Sequence, residues 1–511
     1  MHRFAAWLSI VSLFAVAVLA PIFEVSGGNW PGSRWSGAWN WSAFLKGEPL
    51  REIERDLDKN SALAKHARPY YNEALFVGLG HSPTRVVLGK NGRIFNAWET
   101  VDYPPPDGLK QLDFACQRVA SAVRWFESQG SIVQLLVVPR RATVEPEHLP
   151  DDVRRLFRPV YPQIVERLRA VGLDIVDPLA ELQASDQELF LRMDDHWDYP
   201  AALICTRLVA QRVRERWTAG PLPGVERVCE LREMPPYEFK SENMVRQLGL
   251  RPDGAVARTL AQQRTPTLAF DAQAKRALMG VKTPQPIAVV GTSFSGVCPT
   301  ASLFTGHFQR EVENRALEGQ AAGYRITDLF CEVARGDRPA PKILIWEFPE
   351  DFLISDVRTL TDPLEALDTF AKYARAPMRA APIALAGSSA QGVRITAEDE
   401  NGWSGVAGPN HEFVVDFAEA PPGDGTHWMR YTLTLDSNTV HAVRFESASG
   451  SVGNWHERTL VANAHAYPIF APMRTADLQP VTRMRIRVSK RTNANFKLTR
   501  PELWRPAESK K

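Results

Sequence analysis

Cysteine is scarce in this chain, and neither sign of charge prevails. Its 511 residues include five cysteines, Cys116, Cys205, Cys229, Cys298 and Cys331. No two sit at metal-ligand spacing, which argues against a cysteine-bound metal. The count is odd, so at least one is expected as a buried thiol. An oxidising compartment would permit one or two disulfides without the sequence saying which. Sixty-one basic and 59 acidic residues leave a net charge of +2. With no run of like charges, nothing suggests a nucleic-acid partner. Internal repeats and low-complexity tracts are also lacking. What remains is ordinary globular material, 44% hydrophobic and 23% charged, long enough for two or three domains.

One apolar run stands out. After Arg3 no charged residue occurs until Glu24, and the interval reads FAAWLSIVSLFAVAVLAPIF. About 20 apolar residues suffice to cross a bilayer as a helix. A cleaved signal peptide is the rival reading, but cleavage after Ala20 would leave Pro21 first, a poor arrangement. Residues 1–23 are therefore expected to be an uncleaved anchor. Arg3 favours a cytoplasmic N-terminus, with the bulk of the chain outside, which in a Gram-negative bacterium is the periplasm at the inner membrane. The stretch 26–46, rich in Gly, Ser and Trp, suits either the membrane interface or packing on the body.

Beyond it, residues 48–74 have a charged helical pattern. Val86, Leu88 and Ile94 flank Asn91-Gly92, a strong hairpin-turn dipeptide. Leu109, Leu112, Ala115, Val119, Val123 and Phe126 mark an amphipathic helix over 107–129. Four apolar runs read as buried strands: IVQLLVVP (132–139), LDIVD (173–177), PIAVVGTSF (286–294) and KILIWEF (342–348). Helical segments at 151–170 and 200–217 lie between them. Alternating strands and helices predict an α/β fold, a parallel sheet covered on both faces. Ligands of such sheets gather beyond the carboxyl ends of the strands. After about residue 380, short alternating runs such as HEFVVDF and RMRIRVS predict an all-β sandwich. The expected division is thus 1–23, 24–380 and 381–511.

Three stretches can carry chemistry. In VVGTSFS, Ser293 follows an apolar strand in a turn after Gly291, so its hydroxyl would be raised to the ligand edge beside backbone N–H groups suited to an oxyanion. An ordinary turn serine has the same look. In RMDDHWDYP, three carboxylates surround His196. A serine needs a base to remove its proton, and the base needs a carboxylate to hold its tautomer. Asp194 and His196 can supply both, although a capped helix start would read alike. A metal site needs three converging ligands, and no further histidine pair supports one. In LIWEFPEDFL, Trp346 and Glu347 end a strand, at the ligand edge or merely exposed before Pro349.

Taken in order, these elements resemble the periplasmic alginate O-acetyltransferase family, a branch of the SGNH-hydrolase-like superfamily. VVLGKNGRIF (86–95), LLVVPRRATVEPEHLP (135–150), DDHW (194–197), VVGTSFS (289–295) and IWEFP (345–349) are each similar to a stretch of that family, and the likeness covers roughly residues 40–355. It implies Ser293 as nucleophile, His196 as general base and Asp194 as its orienting carboxylate, with Trp197, Trp346 and Glu347 near the substrate and no cofactor. Asp195 and Asp198 do not match and are expected as caps or surface. The oxyanion-donating Gly and Asn of typical SGNH enzymes have no counterpart motif here, which leaves the Ser293 N–H. The resemblance further implies a polysaccharide acceptor and a membrane-bound acyltransferase as acetyl donor.

Three functions follow: O-acetyl transfer to an exported polysaccharide such as alginate, a carbohydrate O-acetylesterase using the same triad, or a non-catalytic polysaccharide-binding scaffold. Trp403, Trp428 and Trp455 of the β-rich tail could stack on sugar rings or fill its core.

Overall fold

A computed structural model describes residues 62–79, 86–100, 108–234, 248–251, 267–270, 284–354 and the strands between 378 and 506, with short gaps inside some of these ranges. The expected anchor at 1–23 and the Trp-rich stretch at 26–46 lie outside the described residues.

Among the described residues helix α1 (Ala62–Leu79) comes first. Strands β1 (Val86–Leu88) and β2 (Ile94–Asn96) then form an antiparallel hairpin with Leu88 opposite Ile94. Asn91 and Gly92 make the reversal with φ of 55° and 72°. Asn and Gly tolerate this left-handed region better than other residues.

Helix α2 (Gly108–Ser128) buries Leu112, Ala115, Val119, Val123 and Phe126, the face expected from its spacing. After it come β3 (Ile132–Val138) and the short helix α3 (Arg141–Val144). The single helix expected over 151–170 is two, α4 (Asp151–Leu156) and α5 (Tyr161–Ala170). Pro159 lies between them, where its missing N–H and fixed φ stop a helix, whereas Pro162 sits harmlessly in the first turn of α5. Next are β4 (Ile175–Val176), α6 (Leu179–Gln183), α7 (Tyr199–Arg216), and the antiparallel pair β5 (Leu231–Met234) and β6 (Thr267–Phe270). The unit closes with β7 (Ile287–Val290), α8 (Ser293–Val297), α9 (Thr300–Phe308), β8 (Glu313–Asn314), α10 (Ala322–Ala334) and β9 (Ile343–Pro349).

Strands β4, β3, β9, β7 and β8 lie side by side in that order, all parallel. Both faces are covered, as the sequence predicts. Val133, Leu135, Val137, Ala288, Leu344 and Trp346 face one core with α2, α5 and α10. Leu136, Val138, Ile287, Val289, Ile343 and Ile345 face the other with α7 and α9. Alternate residues of each strand thus go to opposite cores, which is why the strands read as unbroken apolar runs. Strand β9, last in sequence, sits in the middle between β3 and β7. The chain runs outward from β3 on one side and from β7 on the other, so the carboxyl ends of β3, β9 and β7 frame the kind of crevice where ligands bind.

From Met378 to Pro506 the chain forms antiparallel strands around a separate core that includes Phe413, Tyr431, Phe445, Met484 and Phe496. The strand Gly402–Phe417 pairs through 402–407 with Ala494–Thr499 and through 412–416 with Val481–Arg487, so one strand serves two neighbours in turn. Trp403 is in this core against Phe413, ring centroids 4.8 Å apart, which rules out sugar stacking by that indole. The side chain of Trp428 and all of Trp455 lie outside the described residues. Cys116, Cys205, Cys229 and Cys298 are buried, with no disulfide between them; the side chain of Cys331 is not among those described.

Candidate active site

The site begins where β7 ends. Gly291 leaves the strand and Thr292 caps α8, its Oγ1 accepting from the Phe294 N–H at 3.3 Å. Ser293 is thereby the first residue of α8. The turn is fastened from below by Glu347 of β9. One carboxylate oxygen of Glu347 accepts from the Thr292 N–H at 2.9 Å and the Ser295 hydroxyl at 2.7 Å; the other accepts from the Thr292 hydroxyl at 2.9 Å. Gly291 is needed for this approach: a Cβ there would lie 2.6 Å from both Glu347 Oε2 and Ser295 Oγ. Burial pushes the Glu347 carboxyl upward, against hydrogen bonds from Ser295 and Thr292 that favour its charged form.

The second part is the loop between α6 and α7. Leu191 donates its N–H to His196 O at 3.1 Å, and Asp198 to Leu189 O at 2.7 Å, closing a narrow turn. The buried Arg141 guanidinium ties this loop to the hairpin, donating to Leu191 O at 2.5 Å and to Ile94 O at 2.7 Å. The Trp197 indole donates to Phe294 O at 2.7 Å and clamps the loop onto α8. Asp198 caps α7, as expected of a cap, accepting from the Tyr199 N–H.

Between these two parts His196 bridges Asp194 and Ser293. Asp194 Oδ1 accepts from the His196 backbone N–H at 3.1 Å and meets its Nδ1; Nε2 lies 2.7 Å from Ser293 Oγ. A carboxylate on Nδ1 fixes the tautomer with the proton there, so Nε2 presents its lone pair to the serine hydroxyl. The imidazole also lies against the Phe294 ring at 4.8 Å between centroids.

Asp195 departs from the expectation of surface or cap. It is largely buried, with Oδ1 3.4 Å from His196 Nδ1 and Oδ2 accepting from Asn96 Nδ2 at 3.1 Å. Behind it Arg140, at the end of β3, has Nη1 3.8 Å from Asp195 and 3.5 Å from Glu99, and its Nε donates to Asp351 at 2.5 Å. Burial alone would raise Asp195, but His196 and Arg140 outweigh it and hold the carboxyl at about 2. Burial alone would lower His196; the Asp194 hydrogen bond and the charges of Asp195 and Asp194 reverse this and raise it. Glu99 is pushed up to about 7 by burial, against the pull of Arg140.

Trp197, Trp346 and Glu347, expected near substrate, are 0%, 1% and 1% exposed. Trp197 and Glu347 instead hold the two loops that carry His196 and Ser293, and Trp346 fills the core beneath. None has a face left for a sugar. Asp194, Asp195 and His196 are groups of the metal-binding kind, within 4.8 Å of one another. Both nitrogens of that imidazole already face Asp194 and Ser293, so the cluster fits proton transfer better than ligation. Sequence reading missed Asn96, Glu99, Arg140 and Asp351. For Arg140 and Asp351 the signal was a charged residue just beyond an apolar strand, as in VVPRR and EFPED; Asn96 and Glu99 carried no such signal.

Residues 86–350, slightly more than half the chain, match the family described as SGNH hydrolase-like domain, acetyltransferase AlgX. A probable alginate O-acetylase AlgJ of Pseudomonas aeruginosa is 28% identical over 325 residues, covering 61% of this chain and 81% of its own. The protein of the same name from Pseudomonas syringae pv. tomato is 27% identical over 393 residues, covering 67% and 94%. The solved structure of Pseudomonas aeruginosa AlgX superposes with a TM-score of 0.50 at 15% identity, over 81% of this chain and 94% of its own, a likeness of fold. The order of the strands, the turn after β7 and the span of the family match agree: this chain belongs to the SGNH hydrolase-like acetyltransferase family of AlgX.

Proposed function

We propose that the protein is an O-acetyltransferase that passes acetyl groups to hydroxyls of an exported polysaccharide by way of Ser293, His196 and Asp194, with alginate the acceptor suggested by the names of its relatives. The observation that carries this reading is the contact chain from Asp194 through His196 to Ser293, in a chain of an acetyltransferase family.

In the first half-reaction His196 Nε2 takes the Ser293 proton while Oγ attacks the donor's acetyl carbonyl. The amides of Thr292, Phe294 and Ser295 are engaged with Glu347 and the Thr292 hydroxyl, so the Ser293 N–H is the amide of this turn to face the oxyanion. The imidazolium, held by carboxylates at Nδ1, returns its proton to the leaving group and an acetyl-serine remains. In the second half a sugar hydroxyl enters, His196 removes its proton, the sugar oxygen attacks, and Ser293 leaves with that proton restored. The donor system would be a membrane-bound acyltransferase. The apolar stretch at 4–23 would hold the protein beside it at the inner membrane, with the body in the periplasm.

Intact mass after exposure to a small acetyl ester, with peptide mapping, tests this. An acetyl adduct on Ser293 that candidate oligosaccharides discharge is the expected result. Discharge to water alone, whatever sugar is offered, would make the protein an esterase. Equal turnover by the wild type and Ser293→Ala would end both catalytic readings and favour a binding scaffold.

A further inference from the structure

The triad proposed above leaves a second carboxylate unexplained. Asp195 follows Asp194 directly, yet its side chain turns inward to the same ring nitrogen, 3.4 Å away. Two groups from other elements brace it: Asn96 of the hairpin by a hydrogen bond and Arg140 after β3 by charge. Asn96 also reaches Glu99, at 3.4 Å, and Arg140 is itself shared with Asp351. A carboxylate with no function would face water at no penalty; here it is kept largely from solvent beside an imidazole.

We propose that Asp195 is a positioning residue for the acyl transfer: it holds a fixed negative charge opposite His196 Nδ1, so that the ring keeps its orientation and accepts the serine proton more readily. The inference rests on the assignment of His196 as base. The two aspartates divide the work. Asp194 supplies the hydrogen bond to Nδ1. Asp195, paired with Arg140 and Asn96, supplies charge that stays ionised through the reaction.

The groups facing the imidazole are few. From its own loop come Asp194 and Asp195; from the end of β3, Arg140, whose charge opposes protonation of the ring; from α8, Ser293 and the Phe294 ring. Glu99 and Asp351 act at one remove, by offsetting Arg140. The balance at His196 therefore depends on Asp195 remaining ionised between the imidazole and Arg140.

The test is a titration of the His196 ring followed by NMR in histidine-labelled protein, its signal among the 11 histidines identified by its loss in His196→Gln. Working in the Ser293→Ala chain removes turnover, so the titration answers whether or not the triad assignment holds; wild-type turnover by Ser293→Ala would sink the assignment alone. Asp195→Asn is expected to lower the His196 midpoint by about one pH unit or more, the effect of removing an opposite charge within ~4–6 Å. Asp195→Glu, which keeps the charge, should restore most of it. In the active chain, the acid limb of kcat/KM should move down in step. Asp195→Ser gives the same reading should the amide variant fold poorly. A midpoint unmoved by loss of the charge would overturn the proposal, and so would one that moved equally in the Glu variant.

Discussion

His196 Nε2 and Ser293 Oγ stand 2.7 Å apart across 97 positions of sequence. One rides on the loop before α7, the other on the first turn after β7, and Trp197 ties the two together through the carbonyl of Phe294. Groups that share one proton fail together when either is removed. Ser293→Ala and His196→Ala should each reduce acetyl transfer by about 10³-fold or more, and the double variant should be no worse than the singles. Initial rates with an acetyl ester and an oligosaccharide acceptor would show whether the effects instead multiply, which would refute the shared step.

Activity and stability should answer pH in opposite senses. As the proposed base His196 would have to be neutral, and its folded pKa is raised by the Asp194 hydrogen bond and the two aspartate charges, against burial. Transfer should thus fall as pH drops through a value above the ordinary 6.5 of histidine. The same raised pKa means that this ring's share of stability is full below 6.5 and is lost as pH climbs through the folded value. A kcat/KM profile and melting temperatures between pH 5 and 9 check both; an acid limb well below 6.5 would contradict the geometry.

Glu347 offers acceptors only, and it faces four donors counted over Thr292 and the Ser295 hydroxyl and amide. In Glu347→Gln an amide NH₂ would confront some of them. The expected loss is about 1.5–3 kcal/mol, that of a hydrogen bond to a charged group, with acetylation of Ser293 slowed as its turn shifts. Denaturant unfolding and single-turnover acylation measure the two separately. Wild-type behaviour in both would show that the turn needs no such fastening.

Two glycines give a paired test. Gly291→Ala forces a methyl against Glu347 and Ser295 and should displace Ser293, with a rate loss of about 10²-fold for a displacement near 1 Å. Gly92→Ala adds a methyl with no atom within 4 Å but at φ 72°, so it should lower stability by about 1 kcal/mol and leave the rate alone. Acylation kinetics of both variants, with melting curves, would expose a reversal of these roles.

Much of this was legible in the chain because periodicity reports burial directly. The runs at 132–139, 286–294 and 342–348 became β3, β7 and β9, and the Asn91-Gly92 reversal became the hairpin. The spacing within 107–129 became the buried face of α2. Pro159 was equally plain in the sequence, yet the helical pattern on either side hid the break. The contacts of Asp195 were not legible. Its partners come from a hairpin 99 residues earlier and from the end of β3, and no local pattern says that a charged side chain will turn inward to meet an arginine. The same applies to Trp197, Trp346 and Glu347: their place before a helix or at the end of a strand was readable, but whether they faced the crevice or held it up depended on tertiary packing.

Strand β9 is the last part of the sheet to leave the ribosome, and it belongs at the centre. Until residue 349 has been translated, β3 and β7 have no common neighbour, and Glu347 is not there to seat the serine turn. A nascent chain short of this strand would lack the seat of the serine turn, so the proposed chemistry at Ser293 would wait for the insertion of one late strand.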